Sequence, residues 1–263
     1  MQRITFANQK GGAAKTTTAV CVAGVLAERL GAGRVLLIDC DPQAAATRWL
    51  GAEPGDGLRR VLARRRGEDR VSLSDLVIPG AAGIDLVPAS PALAALDRIA
   101  GDPDAGGVGI DRALLRALDE LDGKGWEWVL LDTPPNLGMA TIAAIAAARH
   151  VVVPFVAGAI DLAGVARVTE LVDDVAERLD VEVGIAAYVP CRVKPGTSLS
   201  RDVVATLTRR FGAAVTPTVR DTVKLAEAPG FHEPITAYAP AHPAADDYRA
   251  VTAAILDRIG GQA

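Results

Sequence analysis

The nine residues from Gln9 to Thr17 (QKGGAAKTT) constrain this chain more than any other stretch. An apolar run at residues 4–8 precedes them, and a helical pattern that continues to Leu30 follows. A strand, a glycine-containing turn and a Lys-Thr pair at the start of a helix point backbone N–H groups at an anion such as phosphate. In that layout Lys15 adds a positive charge, and the hydroxyl of Thr16 can ligate Mg²⁺.

The strict phosphate-loop pattern G-x-x-x-x-G-K-[ST] is not met, because Gln9 and Ala14 stand where it has glycines. Two later segments restore the case for a nucleotide site. The apolar runs RVLLID and WEWVLLD both end in an aspartate, as buried parallel strands do when they deliver a functional residue. Strand ends of one parallel sheet share an edge, so Asp39, Asp41 and Asp132 are predicted to converge on the loop.

Phosphoryl transfer requires positioning and charge neutralisation more than covalent chemistry. In this scheme Thr16 ligates Mg²⁺ directly, Asp132 holds it through water and Asp39 lies near it. Asp41 orients the attacking water. The alternative is that Asp39 and Asp132 only cap strands and that Lys15 is a surface lysine; the order of the three elements favours nucleotide binding.

Composition and pattern predict the fold. Half of the 263 residues are hydrophobic but only 4% are aromatic, which favours helices packed on a buried parallel sheet. Strand and helix patterns alternate throughout, so we predict one doubly wound α/β domain over residues 1–263 with a mostly parallel sheet. Three well-separated cysteines, Cys21, Cys40 and Cys191, are expected to be buried thiols of a cytoplasmic protein.

Some individual elements are less sharply defined by the pattern. We expect a basic helix over Leu58–Arg66, a short strand over Ser74–Ile78 and a last strand over Ala214–Val219. The glycine-rich segment Gly101–Gly109 is expected to be an exposed loop.

Four segments together resemble a known family. The segments NQKGGAAKTTTAV, VLLIDCDPQAAAT, WVLLDTPPNLG and VRDTVKLAEAP are similar to those of the ParA/MinD group of deviant-Walker P-loop ATPases, specifically the small ParA-type partition ATPases without an N-terminal DNA-binding domain. The resemblance implies a P-loop NTPase fold, ATP and Mg²⁺ as ligands, and an ATP-sandwich homodimer. In that family, ATP-bound dimers bind DNA without sequence preference, and a ParB-type partner stimulates hydrolysis.

The resemblance also assigns roles. Lys10 reaches the phosphates of the other subunit, Gly11 lies where the subunits meet, and Asp41 is needed for hydrolysis. The alternative for Lys10 is a solvated loop lysine. The implied catalytic residues are Lys10, Lys15 and Asp41, the nucleotide-binding residues Lys10, Gly11, Gly12, Ala13, Ala14, Lys15, Thr16 and Thr17, and the metal-binding residues Thr16, Asp39 and Asp132.

Two departures from the family pattern concern turnover. Ala14 replaces the usual glycine, and a non-glycine residue with positive φ costs about 1 kcal/mol. Ala44-Ala45 replaces the usual Gly-Asn after Asp-Pro-Gln. We expect ATP binding to be retained and hydrolysis to be slow.

DNA binding is predicted for the segment Arg192–Lys224. This segment contains seven basic residues and two acidic ones, although the whole chain has a formal net charge of −4. The alternative is a solvated charged surface, and the arginine-rich helix at residues 59–66 is a weaker second candidate. The residues predicted to contact DNA are Arg192, Lys194, Arg201, Arg220 and Lys224.

Other members of the superfamily fit less well. A MinD-like membrane ATPase should end in a basic amphipathic helix, but the tail Tyr248–Ala263 has only two arginines, so no membrane contact is expected. A nitrogenase-iron-protein-like reductase needs paired cysteines, and a biosynthetic ligase would lack Lys10. An orphan ParA-type protein that positions a cargo other than DNA stays open. The expected location is cytoplasmic and nucleoid-associated.

Overall fold

The computed structural model describes residues 1–157, 162–194 and 198–260. A seven-stranded sheet forms the centre of this described part of the chain. The strands are β1 (Gln2–Phe6), β2 (Val35–Asp39), β3 (Ile78–Pro79), β4 (Ile84–Val87), β5 (Trp128–Asp132), β6 (His150–Val156) and β7 (Gly184–Cys191).

The sheet has the order β3-β4-β2-β5-β1-β6-β7. All neighbouring pairs are parallel except the edge pair of β3 and β4, which is antiparallel. The mostly parallel, doubly wound α/β sheet predicted from the sequence is confirmed. Register places Asp132 of β5 opposite both Phe6 of β1 and Asp39 of β2, so the two carboxylates end neighbouring strands at one edge.

Helices cover both faces of the sheet, which explains why all five residues of β2 are buried. Leu37 packs in the cluster that includes α1 and α11, whereas Leu36 and Ile38 pack in the cluster of α5 and α6. None of the helices in the described ranges is long and apolar enough to cross a membrane. The helices are α1 (Lys15–Leu30), α2 (Ala45–Trp49), α3 (Gly57–Leu62), α4 (Leu96–Ile99), α5 (Ile110–Asp119), α6 (Met139–Ala147), α7 (Leu162–Leu179), α8 (Ser198–Phe211), α9 (Val223–Glu227), α10 (Ile235–Tyr238) and α11 (Pro243–Gly260).

Two strand predictions are wrong. The segment expected to form a strand from Ser74 is a 3₁₀ turn, Leu73–Leu76, and only Ile78–Pro79 is extended and paired. The hydroxyls of Ser72 and Ser74 hydrogen-bond each other at 2.9 Å, and the Ser72 carbonyl accepts the N–H of Asp75 at 3.1 Å. Such local serine and aspartate turns compete with a sheet ladder.

The segment expected to form a strand over Ala214–Val219 makes only isolated bridges within the described residues. Val215 bridges Tyr188 of β7, and Arg220, one residue beyond the range, bridges Val193 after β7 has ended. Pro217 lacks the N–H that a continuous ladder needs at this point. The basic helix is also shorter than expected, because α3 ends at Leu62. The residues that follow it form a separate arginine-bearing loop.

Candidate functional site

The loop between β1 and α1 is fixed at both ends by buried hydrogen bonds. Asn8 donates from Nδ2 to the Pro154 carbonyl at 2.6 Å, and its Oδ1 accepts the backbone N–H of Lys10 at 2.9 Å. On the other side, the hydroxyl of Thr18 donates to the Ala14 carbonyl at 2.7 Å. The backbone between these anchors is therefore held in a defined shape at the start of α1.

Three residues near this loop have left-handed backbone conformations. Gly12 has φ 73°, and Ala14 has φ 66°, as expected for a position where the family has glycine. Ala44, in the switch loop (residues 40–44, between β2 and α2), has φ 54°. A non-glycine residue costs about 1 kcal/mol in this region, and such strain tends to collect at functional sites.

Lys15 is the first residue of α1 and its side chain is buried against two carboxylates. Its ammonium group donates to the Lys10 carbonyl over a long 3.4 Å. Burial lowers the pKa of Lys15, while Asp132 and Asp41 act in the opposite direction. A buried ammonium group at a helix N-terminus, with one weak hydrogen bond to the part of the chain that the structure describes, is suited to bind an anion such as phosphate.

Asp132 is fully buried at the floor of the site, and neither of its carboxylate oxygens has a hydrogen-bond partner of ordinary geometry in the described residues. Burial raises the pKa of Asp132 well above its ordinary value, and the neighbouring Asp39 raises it further, against the lowering effect of Thr16 and Lys15. A buried carboxylate without a partner is costly. A cation bound at Asp132 would offset this cost.

Mg²⁺ fits this donor set. Among the described residues no cluster of three His, Cys, Asp or Glu side chains forms a complete metal cage. Mg²⁺ is usually held by one or two carboxylates, with water and substrate phosphates supplying the other oxygens. Asp132 and the hydroxyl of Thr16, close enough to lower the pKa of Asp132, are the oxygens available for such a site.

Asp39 is engaged within the protein. Its Oδ2 accepts the N–H and the hydroxyl of Thr47 at 2.8 and 2.7 Å, and its Oδ1 accepts the N–H of Asp41 at 3.1 Å. The Thr47 hydroxyl in turn accepts the N–H of Ala89 at 2.9 Å. Asp39 thus ties the switch loop to the sheet, in addition to the metal-binding role predicted for it.

Asp41 lies where the switch loop meets the loop before α1. Its Oδ1 accepts the N–H of Gln43 at 2.9 Å, which closes a turn, and it lines the cleft that contains Lys15 and Thr16. The structure therefore brings together the predicted catalytic and nucleotide-binding residues of this loop region. Lys10 lies on the exposed outer side of the loop, and Gly11 and Gly12 border open space.

The cleft has a volume of about 380 Å³, and its far wall was not predicted from the sequence. That wall comes from the end of β7, the segment before α9 and the start of α11. Residues of the segment VRDTVKLAEAP form part of this wall, whereas its basic residues by themselves predict a DNA contact. The lining residues of this wall are Cys191, Arg192, Val219, Arg220, Asp221, Thr222, Leu225 and Tyr248.

The basic residues predicted to contact DNA are mostly ion-paired. Arg220 makes a bidentate pair with Asp247, at 2.6 and 2.8 Å, and Lys224 pairs with Glu227 at 2.8 Å. The Nε of Arg192 lies 3.5 Å from an oxygen of Asp221. Their charges are thus locally compensated, and two of the three side chains face the cleft.

The remaining two predicted DNA contacts are exposed side chains. Arg201 lies on the exposed side of α8, and Lys194 is exposed at the end of a described range. These five residues do not form one continuous basic face, since Arg192 and Arg220 line the cleft with Lys15. The role of all five in DNA binding stays a prediction.

Comparison with known proteins agrees with this geometry. The family model described as an AAA domain matches residues 1–185. The chromosome-partitioning ATPase Soj of Thermus thermophilus is 39% identical over 261 residues, which cover 98% of this chain and 97% of that protein. The chain belongs to the ParA/Soj family of P-loop ATPases.

Two further relatives extend the comparison. The chromosome partitioning protein ParA of Caulobacter vibrioides is 31% identical to this ParA/Soj chain, with 89% of the chain and 86% of the relative covered. A crystal structure of cobyrinic acid a,c-diamide synthase from Mycobacterium smegmatis with ADP and magnesium is 28% identical, with a TM-score of 0.81 over 100% of this chain and 97% of that one. A related fold thus holds an adenine nucleotide and Mg²⁺.

Proposed function

We propose that this ParA/Soj-family chain is an ATP-dependent partition ATPase. It binds ATP and Mg²⁺, forms a homodimer around the nucleotide, and in that form binds DNA without sequence preference. A ParB-type partner stimulates its slow hydrolysis of ATP to ADP and phosphate. The cargo is a plasmid or chromosome, and an orphan role with a cargo other than DNA is the alternative.

One observation carries the ATPase proposal. Among the described residues, Asp132 is buried without a hydrogen-bond partner of ordinary geometry and lies near Lys15, a buried ammonium group with one weak bond at the start of a long helix. Maintaining such groups is unfavourable unless a ligand compensates both charges. ATP with Mg²⁺ supplies one anion and one cation at the required places.

The residues act as follows in the proposed reaction. Backbone N–H groups of the loop and the ammonium group of Lys15 bind the phosphates. Thr16 and Asp132 would hold Mg²⁺, and the bound cation would neutralise negative charge on the phosphates. Asp41 orients the attacking water. Asp39 holds the switch loop through Thr47, so that Asp41 keeps its position beside the phosphates.

Titration calorimetry with ATP tests the binding step. We expect saturable binding that requires Mg²⁺ and that is lost in Lys15→Ala. Lys124→Ala, at an exposed turn remote from the cleft, is the matched control and should bind as the unchanged protein does. Absence of saturable binding to the unchanged chain would contradict the proposal.

Lys10 is exposed, and a side chain at the neighbouring Gly11 would meet open space. This exposed position of the loop supports the proposed contact across a dimer. Light scattering should give twice the monomer mass in saturating ATP and the monomer mass without it. A Lys10→Ala variant should remain monomeric with ATP bound. A monomer of the unchanged chain under saturating ATP would contradict the proposed homodimer.

A further inference from the structure

A second cleft, separate from the phosphate loop, has arginines as most of its charged lining residues, set among apolar side chains. It lies between α5 and the loop that follows α3, and its volume is about 410 Å³. Four arginines line it, with one acidic residue, Glu120, among them. The lining arginines are Arg60, Arg64, Arg70 and Arg116.

The surrounding sequence adds to this charge. Residues 59–70 contain six arginines against Glu68 and Asp69, in a chain whose net charge is −4. Three consecutive arginines, Arg64, Arg65 and Arg66, are exposed, and the first of them lines the cleft. A local excess of positive charge on an acidic protein is the electrostatic feature expected of a surface that binds a phosphate backbone.

The loop that carries these arginines is held in place by one structural arginine. The buried Arg59 donates to the Ala63 carbonyl at 2.9 Å and to both carboxylate oxygens of Glu68 at 3.0 and 2.8 Å. Glu68 also accepts the backbone N–H of Arg65 at 2.9 Å. The acidic residue nearest the arginine run is therefore used to fix the loop.

Most arginines of the cleft are not neutralised by carboxylates. Arg70 pairs with Glu120, but Arg60 and Arg116 donate only to the neutral carbonyls of Asp69 and Gly109. The side chains of Arg64 and Arg66 make no ion pair with any carboxylate in residues 1–157, 162–194 and 198–260. The three C-terminal cations Arg192, Arg220 and Lys224, by contrast, each have an acidic partner.

We propose that this surface, residues 59–70 of the α3–α5 region together with Arg116, is a binding site for the phosphate backbone of duplex DNA. Arginine suits it because its planar fork binds phosphate oxygens in pairs and is weakly hydrated. No base-reading element is needed, because phosphate contacts alone give sequence-independent affinity. The proposal rests on the proposed DNA-binding function and adds to it a contact surface separate from the C-terminal basic residues.

The test is the double variant Arg64→Glu with Arg66→Glu, loaded with ATP and Mg²⁺. Its matched control is Arg29→Glu with Lys124→Glu, which changes the net charge equally at exposed positions elsewhere. Fluorescence anisotropy with a labelled random-sequence duplex is measured over a range of salt concentrations. We expect at least tenfold weaker binding for the double variant and a salt slope smaller by about two, as loss of two phosphate contacts requires. The control should change little.

Each other outcome decides the question. Equal DNA affinity of the double variant and the control overturns this proposal and leaves the proposed function standing. Absence of DNA binding by the unchanged, ATP-loaded protein overturns both. Loss of binding to vesicles of anionic lipid with unchanged DNA binding would assign the surface to a membrane and overturn the proposal. Circular dichroism and ATP titration of the variant should match the unchanged protein, because Arg64 and Arg66 lie outside the nucleotide cleft.

Discussion

The nucleotide cleft and the C-terminal segment beside it differ in whether their charged side chains are paired within the protein. On the cleft floor, Asp132 is buried with no hydrogen-bond partner of ordinary geometry in residues 1–157, 162–194 and 198–260, and Lys15 is buried with one weak bond to them. On the C-terminal wall, Arg220 and Lys224 are each held by a nearby carboxylate. Charges of the first kind destabilise the free protein and await a ligand, whereas charges of the second kind hold the wall together. The number of charges in a segment therefore does not show how many are available to a partner.

The largest predicted effect comes from removing the floor carboxylate. Asp132→Asn should lower steady-state ATP hydrolysis by at least about 100-fold, because an amide is a poor partner for Mg²⁺. The same change should leave the melting temperature of the nucleotide-free protein equal or higher, since a buried carboxylate is replaced by a neutral group of the same shape. Thermal unfolding with and without ATP and Mg²⁺ measures both.

Asp75→Asn is the control, because Asp75 is an exposed aspartate in a turn remote from the cleft. It should affect neither hydrolysis nor the shift in melting temperature caused by ATP. A clear loss of stability of nucleotide-free Asp132→Asn would mean that Asp132 is a structural acceptor, and the contrast between floor and wall would fail.

A smaller effect on turnover is predicted for the strained loop. Ala14→Gly should raise the ATP hydrolysis rate several-fold, because glycine adopts φ 66° freely and removes a methyl group beside the phosphates. Stability should change by less than about 0.5 kcal/mol, since relief of strain is offset by the greater freedom of glycine in the unfolded chain. Steady-state kinetics and thermal unfolding measure these changes.

Ala82→Gly is a matched control, since Ala82 has φ 55° in a 3₁₀ turn that does not line the cleft. It makes the same backbone change without touching the proposed phosphate position. An equal change in hydrolysis for both variants would show that the Ala14 effect is not local to the site.

Removing a carboxylate charge from the C-terminal wall should lower stability, whereas removing one from the cleft floor should not. Asp247→Asn weakens the bidentate pair with Arg220, one side of which is half-exposed and screened by solvent. We expect a loss of about 1 kcal/mol in the free energy of unfolding, or about 2 °C in melting temperature. Asp246→Asn should lose less stability, because the Asp246 carboxylate that pairs with Arg249 is more exposed to solvent than that of Asp247. A gain in stability for Asp247→Asn would contradict the proposed role of the wall.

Sequence reasoning predicted the sheet and the convergence of the loop and aspartates, because strand ends of a parallel sheet share one edge. It also anticipated the positive φ of Ala14. It did not predict the far wall of the cleft, since the carboxylate that holds Arg220 lies 27 residues later in α11. Counting charges along residues 192–224 could not include Asp247. The strand expected at Ala214–Val219 was wrong because Pro217 interrupts pairing with β7.

The smallest predicted effect is the pH dependence of stability that arises from the buried carboxyl groups of the cleft floor. Burial raises the pKa of Asp39 to about 6, from an ordinary 3.8, and that of Asp132 well above its ordinary value. A carboxyl group with a raised pKa in the folded state binds protons more tightly there than in the unfolded chain. Its contribution to stability is therefore present below about pH 4 and is lost as the pH rises through about 6.

The unchanged protein should consequently lose more stability than Asp132→Asn does as the pH rises above about 4, when both are measured without nucleotide. Taking the difference between the two proteins removes the contribution of the exposed carboxylates that they share. Binding of Mg²⁺ with ATP should follow the opposite trend and strengthen over the same interval, because the cation competes with the proton for Asp132. A difference in melting temperature that stays constant at every pH above the ordinary pKa of a carboxyl group would show that the pKa of Asp132 is not raised, and would contradict the contrast between the cleft floor and the C-terminal wall.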